Sequence, residues 1–446
     1  MIVLSGAELV LPDRILSPGT LVLHGDRIVE IRSGGVPGAG ASPAFAFHGH
    51  FIVPGFIDVH VHGVDGVDSL GGGDAVIGIA SRLPRFGVTA FCPTTVACGP
   101  AALRGVLEQV RRAREAPASR AARVLPAHLE SNFISDEYRG AQPAACLRSA
   151  RAALLHRAGR AGGAGAERLR PCEPEDLEIR GRASASVRGG GGAPPPLEES
   201  RAEGGDVEPF DGADILLEIE RAAPDVGIVT IAPEIDGGLD LVSWLVARGL
   251  RVSVGHSGAT FDEAMAAVSA GARHATHLFN RMAPLHHRAP GIAGAVLQAD
   301  DIAAEIICDG LHVHPALVRT AVAAKRPSRL MAVTDGTAAA GLAAGECARL
   351  GDQPIVAGVD AAYLTDGTLA GSVLTMDRAF EMLVASVGLS LVDAATMCAT
   401  TPARELGLAG HGVIAVGAVA DLVVLDSRLS VVQTYVGGRL VYARAR

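Results

Sequence analysis

Short apolar runs alternate with stretches of helical periodicity along most of this chain. The runs lie near Ile57–His62, Val88–Pro93, Val124–Glu130, Val226–Ala232, Val252–His256, Ala275–His277, Ala304–Cys308 and Leu330–Asp335. They are apolar throughout rather than at alternate positions, which suits strands covered on both faces, as parallel strands are. Between them, Ala75–Phe86, Ala101–Arg114, Leu239–Arg248, Phe261–Gly271 and Pro315–Lys325 carry apolar residues at helical spacing. Eight such alternations predict an α/β fold, a (β/α)8 TIM-like barrel.

The two ends of the chain read differently. Leu21–Val29 alternates in the period of a half-buried strand, and so does much of residues 1–50. Ala420–Asp426 is a further strand candidate, and Val431–Tyr442, broken at Gly437-Gly438, reads as a hairpin. The expected organisation is a small β-sandwich domain built from residues 1–50 and 411–446, around a barrel of residues 51–410. One segment breaks the rhythm. Residues 147–211 are rich in Arg, Ala, Gly and Pro and include the tract Gly189 to Pro196. With almost no apolar periodicity after His156, the segment cannot offset its own ordering entropy. It is expected to be a mostly disordered insertion after the third barrel strand, with a short helix near Ser149–His156.

A length of 446 residues with 49% hydrophobic content suits one large core plus a smaller unit. The net charge of −9 is spread in small clusters, which argues against nucleic acid as a partner. The opening Met1–Gly6 reads as a strand rather than a secretory leader. No apolar run reaches the roughly 18–20 residues needed to span a bilayer, so no membrane partner is expected. The 7 cysteines are scattered without a CxxC pair, and Cys92 and Cys308 fall in apolar runs. They read as reduced thiols of a cytoplasmic protein.

The chemistry sits where the apolar runs end. In Asp58-Val59-His60-Val61-His62 the two histidines alternate, so both imidazoles point to one face of a strand. Glu130, His256, His277 and Asp335 each close or follow a later run. In a parallel barrel all strand C-termini open onto one face, so these residues converge there. Four imidazoles with carboxylates suit a divalent transition metal such as zinc or iron better than magnesium.

Pro54-Gly55-Phe56-Ile57-Asp58-Val59-His60-Val61-His62-Gly63 resembles the opening signature of the amidohydrolase superfamily. More narrowly, the chain resembles the N-acetylglucosamine-6-phosphate deacetylase family. The matching blocks are Gly87-Val88-Thr89, His128-Leu129-Glu130, Gly255-His256-Ser257, Ala275 to Met282, Cys308 to His312, Thr334-Asp335-Gly336 and Leu369 to Ser372. They run in family order over nearly the whole chain outside the insertion. The resemblance implies that Glu130, His256 and His277 hold the main catalytic metal. His60 and His62 match a second metal site found in some members, so one or two ions are implied. Asp335 matches the catalytic acid/base. Asn280, Arg281, Arg288 and His312 match residues that grip the sugar phosphate, and Leu369, Ala370 and Gly371 match a backbone segment lining the sugar pocket. The implied reaction is deacetylation of N-acetylglucosamine 6-phosphate, with a homodimer as the expected assembly.

Two departures stand out. Glu130-Ser131-Asn132 replaces the family's usual Glu-Gly-Pro, and Gln142, after Gly140 and Ala141, stands where histidine is common. Ala141 and Gln142 are expected to face substrate. Glutamine can donate a hydrogen bond there but cannot carry a proton. Substrate choice is therefore open to another N-acetyl hexosamine phosphate, such as N-acetylgalactosamine 6-phosphate. A catalytically impaired sugar-phosphate-binding homologue is the non-enzyme alternative. A cyclic-amide hydrolase would need a lysine on the fourth strand, whereas Lys325 is the chain's one lysine and lies in a helix candidate. A deaminase of the same superfamily would lack the blocks named above.

Overall fold

The computed structural model describes residues 1–34, 44–161 and 209–445. Eight parallel strands form the barrel: β1 Phe56–Val61, β2 Val88–Thr95, β3 Ala127–Glu130, β4 Val226–Ile231, β5 Arg251–Val254, β6 His274–Ala275, β7 Ala303–Ile307 and β8 Leu330–Val333. Each pairs with its sequence neighbour. The ring closes where Val61 bridges Gly336 and the Asp335 amide donates to the His60 carbonyl at 2.9 Å. Every residue of β1 and β2 is buried, as runs without alternation require. Asp58 fastens the closure. Its carboxylate accepts from the Thr334 hydroxyl at 2.6 Å and from the backbone amides of His60 and Thr334. Burial pushes that carboxyl up to about 7 against these donors.

The helices cover the barrel through one apolar stripe each. In Pro100–Glu115 the buried positions Leu103, Val106, Leu107, Val110 and Ala113 follow the helical period. Arg111, Arg112 and Arg114 fall off that stripe. Pro starts this helix at a position whose N–H has no helical partner anyway. Thr260 and Glu263 cap Phe261–Ser269 reciprocally.

The chain ends pair as expected. Phe51–Pro54 lies between Ile2–Val10 on one side and Leu422–Leu425 on the other, joining both ends in one eight-stranded sheet. That sheet therefore runs a few residues past position 50. Leu4, Leu21 and Ile28 from its first half meet Leu422, Val424 and Tyr435 from its second in one apolar cluster.

The helix expected near Ser149–His156 is present and longer, Ala150–Ala161. It packs on Gly212–Arg221, with Arg157 paired to Glu220 and Arg160 to Asp211 and Asp214. Residues 162–208 of the insertion, including the Gly/Pro tract, lie outside the described residues. One unit was not foreseen. After β8 the strands Cys347–Leu350, Gln353–Ala357, Ala361–Leu364 and Leu369–Ser372 form an antiparallel sheet. It docks on the barrel mouth through the Ser372 amide, which donates to the Asp335 carbonyl at 2.9 Å.

Candidate active site

Three of the residues at the barrel mouth hold left-handed backbone: His256 at φ 47°, His277 at φ 28° and Asp335 at φ 48°. This conformation costs roughly 1–3 kcal/mol at a non-glycine residue and persists only where surroundings impose it. Here hydrogen bonds impose it. The Ser135 amide donates to the His256 carbonyl, and the Asp335 backbone is held on both sides by His60 and Ser372. The effect is to turn each strand end so that its side chain points across the mouth.

Two clusters result, side by side. In the first, His256 Nε2 lies 2.9 Å and His277 Nε2 2.8 Å from Glu130 Oε1, and the two nitrogens are 3.0 Å apart. In the second, His60 Nε2 and His62 Nε2 are 3.2 Å apart and lie 3.3 and 3.2 Å from Asp335 Oδ1. Both sets have ligand-type atoms within 4.8 Å of one another. Glu130 links them, its oxygens 3.6 Å from His60 and His62. All six residues are buried.

The donors fit a cation. His256 Nδ1 lies 2.9 Å from the Tyr138 carbonyl, so it carries the ring proton and leaves a lone pair on Nε2. Lone pairs and a carboxylate oxygen facing one point repel unless a proton or a cation lies between them. The Nδ1 atoms of His62 and His277 are buried and unpartnered. The electrostatics point the same way. Burial opposes charge on Glu130, but His256, His277 and His60 outweigh it and hold the carboxylate well below its usual range. Burial likewise presses Asp335 upward, and His60 and His62 more than offset it. At His60 burial opposes protonation, yet Glu305, Asp335 and Glu130 raise it to about 10. A field that strong is equally a field for a metal ion.

Around the clusters is a cleft. Of the expected substrate residues it brings together Ala141, Gln142, Asn280, Arg281, His312, Leu369 and Gly371. Ala370 is instead buried in the core of the four-stranded sheet. Arg288 lies on an exposed loop, with its amide directed at His286 Nδ1. His312 is fixed by Asp309 through Nδ1 at 2.5 Å. Arg281 reaches the Leu369 carbonyl at 3.3 Å. Gly371 has φ 64°, and a Cβ there would meet the Asp335 carbonyl at 2.9 Å. Gln142 is buried, donates to Glu130 Oε2 and accepts from the Ala97 amide at 2.7 Å.

Sequence reading missed Glu305 and the roles of His128 and His274. Glu305 is fully buried on β7, 2.8 Å from both His60 Nδ1 and His274 Nε2. His128 bonds the Val59 carbonyl and the Thr230 hydroxyl. Burial drives it down to about 3, so it is neutral. A glutamate inside the apolar run Ala303-Ala304-Glu305-Ile306-Ile307 was the available signal, since an unpaired buried carboxylate would be costly. The fourth strand turns Thr230, not lysine, toward His128. Lys325 is engaged elsewhere, with the Ala299 carbonyl. A lysine-bridged metal pair is therefore ruled out.

Residues 227–441 match the Amidohydrolase family model. The N-acetylglucosamine-6-phosphate deacetylase of Rattus norvegicus is 36% identical over 408 residues, spanning 88% of this chain and 84% of the rat protein. That of Bacillus subtilis (strain 168) is 30% identical over 395 residues, with the same two coverages of 88% and 84%. The structure of a point variant of the Mycobacterium smegmatis N-acetyl-D-glucosamine-6-phosphate deacetylase, in complex with N-acetyl-D-glucosamine-6-phosphate, aligns at TM-score 0.78. It is 29% identical and the match covers 99% of both chains.

Proposed function

This chain belongs to the N-acetylglucosamine-6-phosphate deacetylase family of the amidohydrolase superfamily, and we propose that it hydrolyses N-acetylglucosamine 6-phosphate to glucosamine 6-phosphate and acetate. One observation carries the reading: the Asp335 carboxylate sits at the base of the cleft, beside the Glu130, His256 and His277 cluster. These residues would hold a divalent cation, whose Lewis acidity would lower the pKa of water and polarise the acetyl carbonyl. Glu130, His256 and His277 would hold the main ion, and His60, His62 and Asp335 a second, with zinc or iron favoured by the N/O donor set. The Asp335 carboxylate accepts the proton of the attacking water and returns it to the departing nitrogen. Arg281, His312, Asn280 and Arg288 are the proposed phosphate grip. Leu369, Ala370 and Gly371 present backbone to the sugar, and Ala141 and Gln142 face its acetyl side.

Gln142 favours one second reading, in which another N-acetyl hexosamine phosphate, such as N-acetylgalactosamine 6-phosphate, is preferred. The decisive measurement is acetate release from a panel of N-acetyl hexosamine 6-phosphates with added zinc or iron. Turnover of N-acetylglucosamine 6-phosphate supports the first reading, while sugar phosphate binding without acetate release would assign an impaired homologue.

In the proposed division, residues 51–410 carry the chemistry and 1–50 with 411–446 form the supporting β unit. Among the described residues no helix is long and apolar enough to cross a membrane. A cytoplasmic homodimer is the proposed state. The thiols support the location, and two exposed apolar residues that line one groove, Leu311 and Val359, support the assembly. Light scattering of the purified protein tests the latter.

A further inference from the structure

Behind the second cluster runs a line of polar groups that the reaction does not call on. Arg251 Nε lies 3.3 Å from His274 Nδ1, and His274 Nε2 lies 2.8 Å from Glu305 Oε1. Glu305 Oε2 lies 2.8 Å from His60 Nδ1. None of Arg251, His274 or Glu305 lines the cleft. At its far end Arg251 is held by Glu405, which also takes Arg404.

The donors and acceptors along this line have a single consistent assignment. Arginine has no acceptor and cannot lose its proton, so His274 Nδ1 must accept. His274 then carries its proton on Nε2 and donates to Glu305 Oε1. An ionised carboxylate only accepts, so His60 Nδ1 must donate to Oε2. A cation that displaces the second ring proton then meets the lone pair of His60 Nε2, directed at His62 and Asp335.

We infer that Arg251, His274 and Glu305 form a positioning relay that locks His60 in the tautomer able to bind a second cation. The inference rests on the two-ion reading proposed above. It gives Glu305 a task no first-sphere residue can perform: holding the ring by its far nitrogen, at full burial, so that the near one is free. Partners of this kind typically change metal affinity by about 10- to 100-fold.

The relay makes an unusual prediction for Glu305→Gln. With Arg251 in place, His274 Nε2–H still needs an acceptor, and an amide that turns its oxygen there directs its NH2 at His60 and at the His277 amide, which donates to Glu305 Oε2 at 3.2 Å in the wild type. His60 Nδ1 must then accept, its proton moves to Nε2, and the ligand becomes a donor. Removing the constraint with Arg251→Met lets His274 change tautomer and the amide turn over. The double variant should therefore regain what the single one lost.

The test is titration of the metal-free full chain with Co²⁺ or Zn²⁺, read by absorption and by metal content after dialysis. Wild type is expected to show two steps. Glu305→Gln is expected to keep the tighter step, which also reports an intact fold, and to weaken the second by about 10- to 100-fold. Glu305→Gln with Arg251→Met is expected to recover much of it. A wild type with one step overturns the two-ion reading and the relay with it. Two steps in wild type and two unchanged steps in Glu305→Gln overturn the relay alone, and a double variant no better than the single one removes Arg251 from it. Nitrogen-15 labelling of histidine reads the wild-type tautomers without any variant, and a proton on His274 Nδ1 would overturn the inference outright.

Discussion

Replacing Asp335 with Asn isolates proton transfer from everything else this residue does. The substitution keeps shape and hydrogen-bonding capacity but removes proton acceptance. It also suits the backbone, because Asn tolerates the left-handed conformation that Asp335 holds at φ 48° better than most residues. The contacts of the main chain with His60 and Ser372 need no change. The side chain meets His60 and His62, whereas the Glu130, His256 and His277 cluster is complete without it. The ion at that cluster is thus expected to stay, and any loss at the second cluster is measured separately as metal content. General acid/base catalysis is typically worth about 10²- to 10⁴-fold, or roughly 2.7–5.4 kcal/mol of barrier at about 1.36 kcal/mol per tenfold. A kcat loss of at least about 100-fold is expected, with substrate still bound. The assay is acetate release from N-acetylglucosamine 6-phosphate, run beside metal analysis of the same preparation. Near-normal turnover, or loss of the ion from the Glu130 cluster, would refute the assignment.

Three further outcomes follow from other contacts. Gln142→His should change the rate or the sugar preference, read from kcat and KM across the hexosamine panel, with metal content unchanged; a fall in metal would instead make the Gln142 contact with Glu130 a support for the ion. Replacing residues 163–207 with a short Gly/Ser linker should leave metal uptake intact, because Ala150–Ala161 and Gly212–Arg221 are tied by their own ion pairs, and loss of metal would show the segment to be structural. Asp421 is buried yet held below its usual value by His411, Arg123 and the Gly437 amide, which together outweigh the burial. Its contribution is therefore complete above the unfolded pKa of about 3.9 and is lost as pH falls through the lower folded value. Asp421→Asn should cost about 1–3 kcal/mol near neutral pH, with the Tm gap to wild type closing below about pH 4, and a gap that is constant with pH would contradict this.

Most of the barrel was legible because its strands are short, continuous apolar runs that end in a polar residue. The same ends located Glu130, His256, His277 and Asp335, since a titratable side chain placed after an apolar strand has few places to go but the mouth. The helix Pro315–Lys325 was read to the residue because Pro marks its first turn. The four-stranded sheet at 347–372 was not legible as structure. Its strands are four or five residues long, and Cys347–Leu350 has only one buried position, so no alternation announces them. Leu369 to Gly371 were found through resemblance alone. Glu305 escaped for another reason: its partner His60 is 245 positions away, and its role exists only once the ring is closed.

The strand Phe51–Pro54, hydrogen-bonded on one side to the start of the chain and on the other to Leu422–Leu425, also sets a schedule for biosynthesis. As the polypeptide leaves the ribosome, Ile52 and Val53 emerge first, and the second neighbour follows roughly 370 residues later. At about 5–20 residues per second that delay is on the order of half a minute. Throughout it the nascent chain carries an apolar strand with an open edge, the kind of surface that recruits other strands. The barrel can assemble in the meantime, yet its neighbouring sheet stays unfinished until Leu422–Leu425 has emerged. Limited proteolysis of ribosome-held chains halted at residue 410 reads that interval directly, and protection of Phe51–Pro54 at that stage would show that something else covers the edge first.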